Sequence, residues 1–167
     1  MSLSRLLREG LIAGVVGAAA VALWFLLIDL VAQRPFFTPS ALGSALFFGE
    51  RDPNLIEVSF ARVITYSAFH WIAFGLVGVA AAALAFMVDK FPSTLFLVVV
   101  FFAVFEVGFY ILVALVAQPL LGALAWWNVA IGNGIAAFGM GFYLYRAHPH
   151  IAVALHEHPL GETMDGE

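Results

Sequence analysis

Apolar residues run along this chain in four long blocks, Gly10 to Ala32, Val63 to Val88, Pro92 to Gln118 and Gly122 to Tyr145, each with at most one acidic residue. A bilayer crossing needs ~20 mainly apolar residues. The blocks therefore predict an all-α integral membrane protein, a four-transmembrane-helix bundle. Its spans fall at about 10–32, 63–88, 92–118 and 122–145, in one domain over residues 1–146, with a His-containing acidic tail over 147–167. The first block is longer than the apolar part of a signal peptide and is read as retained. Pro92 suits the first turn of the third span, and Gln118-Pro119 is expected to break the chain before the fourth, leaving a tight turn.

Between Arg34 and Arg62 lies the one long connection, and its composition predicts order. Thr38-Pro39 reads as an N-cap followed by proline at the first helical position, and Gly49 reads as a stop. The short helix between them, about 39–48, places Leu42, Ala45 and Leu46 on one face and is too short to span, so it is expected to lie in the interface or dip back as a lid. Asn54, with Glu57 three residues on, has the form of a capping box for the next helix.

Composition reinforces the pattern. The chain is 63% hydrophobic and 11% charged, against roughly 45–50% and 25% in soluble domains. A net charge of −4 with no basic face excludes nucleic-acid binding, and zero Cys excludes disulfides, thiolate catalysis and iron–sulfur clusters. Four spans put the N-terminus, the Asp89-Lys90 turn and the tail on one side, with Arg5, Arg8, Lys90 and Arg146 there against Arg34, Arg51 and Arg62 opposite. The positive-inside bias then places both termini in the cytoplasm, across a cell (inner) membrane.

Small residues mark where helices approach closely: Gly10 and Gly14, Gly78 and Ala82, and Ala130, Gly134, Ala137 and Gly141 along one face of the fourth span. Trp126, Trp127, Tyr143 and Tyr145 read as interfacial belts. Phe96, Phe101, Phe102, Phe105 and Phe109 cover more than one face of the third span, so part of that surface must meet lipid, a cofactor or a partner.

Ionisable groups in hydrocarbon are costly and so are functional candidates by default. Asp29, His70 and Glu106 lie inside spans, at roughly 5, 12 and 18 Å from the side opposite the termini at ~1.5 Å per residue. Arg62, Tyr66 and His70 repeat every four positions, Glu106 and Tyr110 do the same, and Asn133 reaches a similar depth. The other half of each span lacks charge, as over Leu11 to Leu23 and Ile72 to Val88. An outward-opening polar pocket is expected, with His70 facing Glu106 across it. That pair reads as a hydrogen bond fixing helix register, a ligand or cofactor anchor, or a proton-handling couple. One intramembrane His does not make a bis-His haem site, and Tyr66 one turn earlier is too bulky for a pigment contact. Asp29 is expected to pair with Arg34 or Arg62. The tail histidines His148, His150, His156 and His158 form two His-x-His pairs, a weak metal signal.

No catalytic motif is present, so the expected function is non-enzymatic: an accessory or scaffold subunit of a larger membrane complex, in contact with lipid and with other subunits or its own copies. Its polar pocket would hold a lipid, quinone or pigment, with no covalently bound cofactor. The alternatives are a proton-linked transporter or ion-conducting oligomer using Asp29, His70 and Glu106, and a metal-handling protein using the tail.

Overall fold

A computed structural model describes residues 2–123, 126–149 and 151. They are all helical, without a strand: α1 (Leu3–Val31), α2 (Phe37–Phe47), α3 (Phe60–Lys90), α4 (Phe96–Ala123) and α5 (Trp126–Ala147). A 3-10 turn at Pro92–Leu95 leads into α4, with proline in the position where a missing N–H costs nothing. At 29 and 31 residues, α1 and α3 reach ~44–47 Å, and both are long and apolar enough to cross a membrane.

The long helices alternate in direction, so the start of α1 and the ends of α3 and α5 meet at one end of the bundle, called here the terminal end. The turn into α2, the start of α3 and the start of α5 form the far end. The tightest seam joins α1 to α3. A Cβ added at Gly78 would lie 2.2 Å from the Gly10 carbonyl oxygen and 2.4 Å from the Gly14 nitrogen, and one at Gly14 would lie 2.4 Å from the Phe74 carbonyl oxygen. Backbone here touches backbone, which only glycine allows, so the expected small-residue contacts of these helices lie within the monomer.

The corresponding expectation for α5 needs correction. Its buried face is Asn128, Val129, Gly132, Asn133, Ala136, Met140 and Leu144. An added Cβ at Gly134 or Gly141 meets nothing within 4 Å. A different face meets α1: Trp24 lies over Gly132, and its indole N–H donates to the Asn128 carbonyl at 2.9 Å.

α2 is not a lid lying flat. Phe37, Thr38, Ser40, Ala41, Leu42, Gly43, Ser44 and Ala45 are buried, which accounts for most of its 11 residues. It dips in against α3, where a Cβ on Gly43 would lie 2.5 Å from the Arg62 carbonyl oxygen, and against Phe109 of α4. Its two fully buried serines are satisfied internally: Ser44 Oγ donates to the Ser40 carbonyl at 2.7 Å and Ser40 Oγ to the Glu57 carbonyl at 3.0 Å. Gly49, at φ 72°, is the expected stop.

Three local expectations were displaced by neighbours. Thr38 lies inside α2, whose N-cap is Phe36 in the left-handed region at φ 64°. The cap of α3 is Ser59, which accepts from the Arg62 N–H at 3.3 Å, while Asn54 instead folds back on Asp52 Oδ1 at 2.9 Å in an Asx turn. Helix α4 continues through Gln118-Pro119 to Ala123, because one proline near a helix end forfeits a single bond while the rest of the ladder persists. The tight turn expected over 119–121 is therefore not there, since those residues are still helical.

Gly78→Val is expected to destabilise the bundle by about 3 kcal/mol, because the added atoms meet backbone that cannot retreat. Gly134→Ala, with open space at its Cβ, should stay within about 0.5 kcal/mol of the parent. Reversible unfolding in mixed detergent micelles measures both.

Candidate functional site

The polar residues expected to converge are sorted by the fold into three groups. The first is the mouth of the bundle at the far end. Asp29, 4% exposed at the end of α1, accepts from the Thr38 backbone N–H at 2.8 Å and from the Thr38 hydroxyl at 2.7 Å. It therefore caps α2 in place of the expected ion pair. Arg34 instead lies over the Phe37 ring at 4.1 Å, and Arg62 donates to the Glu57 carbonyl at 3.1 Å. The corner that aims α2 at Asp29 uses two non-glycine residues in the left-handed region, Gln33 and Phe36, on either side of Arg34-Pro35.

The second group is on the α1–α3 seam. His70 is buried, and its Nε2 lies 3.1 Å from the Ala18 carbonyl oxygen of α1. A carbonyl only accepts, so Nε2 carries the hydrogen, and in the neutral ring Nδ1 is left with a lone pair and no partner among the described residues. The ring sits between Tyr66, at 5.8 Å, and Phe74, at 4.7 Å between centroids. Asp29, Tyr66, Ser67 and His70 line one cavity of about 190 Å³ between α1, α2 and α3, with Phe36 and Trp71 among its apolar walls.

The third group joins α4 to α5. Glu106 Oε2 accepts from Asn133 Nδ2 at 2.9 Å, and the Tyr110 hydroxyl donates to the Trp126 carbonyl at 2.8 Å. The expected His70–Glu106 contact is thus not made: His70 bonds to α1 and Glu106 to α5. A crevice of about 30 Å³ runs from Tyr66 and His70 to Asn133, the residue that bonds Glu106. Backbone carbonyls and a carboxamide outcompeted the direct pair because they already lie at bonding distance once α1 and α5 pack.

A fourth group was missed by sequence reasoning, and it lies at the terminal end. His148, fully buried, is clamped between two carboxylates: Nε2 lies 3.0 Å from Glu9 Oε2, and Nδ1 bonds Asp89 Oδ2. Arg5 Nε donates to Glu9 Oε1 at 2.7 Å and its other nitrogen to the Ala147 carbonyl at 3.4 Å. The Phe86 ring closes the side, edge-on to His148 at 4.5 Å and under the Arg5 guanidinium at 5.2 Å. Both ring nitrogens face acceptors, so two protons must sit along the Glu9–His148–Asp89 line. With Arg5 beside it, the set is neutral when the imidazole carries both, which is how buried charge becomes tolerable.

A signal for this cluster was present in the topology. The predicted order of four long alternating helices already puts Glu9, Asp89 and His148 at one end, and Arg5 and Glu9 are one helical turn apart. His148 therefore does not sit in a solvated tail, and its nitrogens are taken. His150, His156 and His158 lie outside the described residues. Among the described residues no set of three His, Asp or Glu side chains is disposed to hold a metal ion.

His148→Ala should leave two carboxylates facing each other in a buried site and cost about 3 kcal/mol of stability, measured by thermal unfolding in detergent. Asp29→Ala, which uncaps α2 without breaking an ion pair, should cost about 1–2 kcal/mol by the same measurement. No protein-family model matches this chain, nor does any curated protein or any solved structure.

Proposed function

We propose that this chain is a non-enzymatic protein of the cell (inner) membrane that crosses it four times, through α1, α3, α4 and α5, with both termini in the cytoplasm. It acts as an accessory or scaffold subunit of a larger membrane complex and holds a small amphipathic molecule of the lipid or quinone class. The observation that carries the ligand reading is the cavity of about 190 Å³ at the far end, apolar on most walls and polar at Asp29, Tyr66, Ser67 and His70. The unpartnered Nδ1 of His70 supplies a hydrogen-bond acceptor for a hydroxyl or protonated headgroup.

Support for the membrane reading comes from the outward surfaces. Leu23 and Leu27 on α1, Ile72 and Leu76 on α3, Val99 and Val104 on α4, and Phe138 on α5 are each at least half exposed. Apolar faces on every long helix far exceed the isolated patches that a water-soluble monomer shows. Trp126 and Trp127, also exposed, sit where an interfacial belt belongs.

One observation favours the alternative of a proton-linked transporter or ion-conducting oligomer. Ionisable groups lie along the α1–α3 seam at both ends, His70 in one half and Glu9 with His148 in the other. Between Ala18 and Glu9 of α1, however, ~13 Å of helix carries no polar side chain and is packed by glycine contacts against Phe74 and Val79. That seal favours binding over passage within one chain.

Purification from native membranes in mild detergent, followed by solvent extraction and mass spectrometry, tests the reading. A lipid- or quinone-class molecule should co-purify with the parent and fall at least about tenfold with His70→Leu, as expected for loss of a buried polar anchor. A bare monomer with neither bound molecule nor partner chain overturns it. Proteoliposomes should show no proton flux; flux that disappears with Glu106→Gln and His70→Ala would install the transporter instead.

A further inference from the structure

A larger concavity lies elsewhere. α4 touches α3 and α5 only sparsely, and the gap it leaves is a groove of about 240 Å³ walled almost wholly by hydrocarbon, with Phe101, Phe102 and Phe105 of α4 facing Ala81 of α3 and Ala137 and Gly141 of α5. Three of the five phenylalanines of α4 meet here, while Phe109 packs against α2 and Phe96 is exposed. The groove begins at Asn133 and runs out at Tyr145 on α5, a length of ~18 Å at helical rise, comparable to one leaflet of a ~30 Å hydrocarbon core.

Charge marks its open end. The groove finishes at Val88, Leu95, Tyr145 and Ile151, at the terminal end. Lys90 follows Val88 by two positions and Arg146 follows Tyr145 directly; both are exposed. Neither makes an ion pair among the described residues; each lies only over a neighbouring ring, Phe91 and Phe142, at 5.2 and 5.0 Å. The carboxylates of this end, Glu9 and Asp89, are turned onto His148. An apolar slot one leaflet deep therefore opens beside two cations, and among the described residues the acids of this end, Glu9 and Asp89, each bond His148.

We infer that the α3–α4–α5 groove is a site for an anionic phospholipid of the leaflet on the terminal side, one acyl chain lying along the phenylalanines and the phosphate held between Lys90 and Arg146. The site is separate from the far-end cavity. It rests on the membrane-spanning reading but not on the ligand proposed for His70. An anionic headgroup is favoured over a zwitterionic one because its phosphate charge is not offset by a headgroup cation, which Lys90 and Arg146 would repel. An acyl chain is favoured over a polar ligand because Asn133 is the one polar side chain among the groove's lining apart from the Tyr145 hydroxyl.

Native mass spectrometry of the full chain, with phosphatidylglycerol or phosphatidylcholine of matched acyl chains, is the test. One phosphatidylglycerol should survive activation that strips phosphatidylcholine. Lys90→Gln and Arg146→Gln should each weaken phosphatidylglycerol retention about fivefold, leaving phosphatidylcholine unchanged. Gly141→Leu adds its side chain where an added Cβ meets nothing within 4 Å, so it should fill the slot, expel both lipids and leave the unfolding temperature near the parent's. Equal retention of the two lipids by the parent, or full retention after Gly141→Leu, overturns the inference. Release of the chain from membranes by alkaline carbonate would instead sink the membrane reading itself.

Discussion

The backbones of α1 and α3 meet because Gly10, Gly14 and Gly78 have no side chains to hold them apart. In the membrane setting proposed above, two apolar helices would gain nothing from the hydrophobic effect, and what would draw them together is dispersion at close range, greatest where backbone reaches backbone. Every other placement follows from this seam. It sets the depth at which His70 of α3 meets the Ala18 carbonyl of α1, and it places Phe74 beside the imidazole, 4.7 Å away between ring centroids.

Polar bonds then lock the two ends of the bundle. At the far end Asp29 seizes the first turn of α2 through Thr38, which draws a helix too short to span into the space between α3 and α4. At the terminal end Glu9, His148 and Asp89 tie the start of α1 to the ends of α3 and α5. Buried charge of this kind contributes little net stability but strongly penalises wrong arrangements, since any misregister would strand a carboxylate. α4 has neither a glycine seam nor an ionic latch. The Glu106–Asn133 bond and the Tyr110 hydroxyl hold it on α5 toward the far end, and below them it stands off enough to leave the phenylalanine-lined groove.

Polarity is not confined to the far end, because Glu9, Asp89 and His148 lie just beyond the uninterrupted apolar blocks. The helices in fact extend to Leu3, Lys90 and Ala147 and carry those groups into contact. Residues at a helix boundary count as inside or outside depending on what their neighbours offer, and periodicity alone does not report the neighbours.

The amino-acid order by itself determined the number and direction of the long helices, the short helix after Arg34, the glycine faces of α1 and α3, and the list of costly polar residues. Each of these follows from local length, spacing or composition. Only tertiary structure decided who pairs with whom: His70 with a backbone carbonyl and not Glu106, Asp29 with Thr38 and not an arginine, His148 with two carboxylates. A buried polar group takes whichever complementary atom packing brings within about 3 Å, and that distance is set by how closely the helices approach.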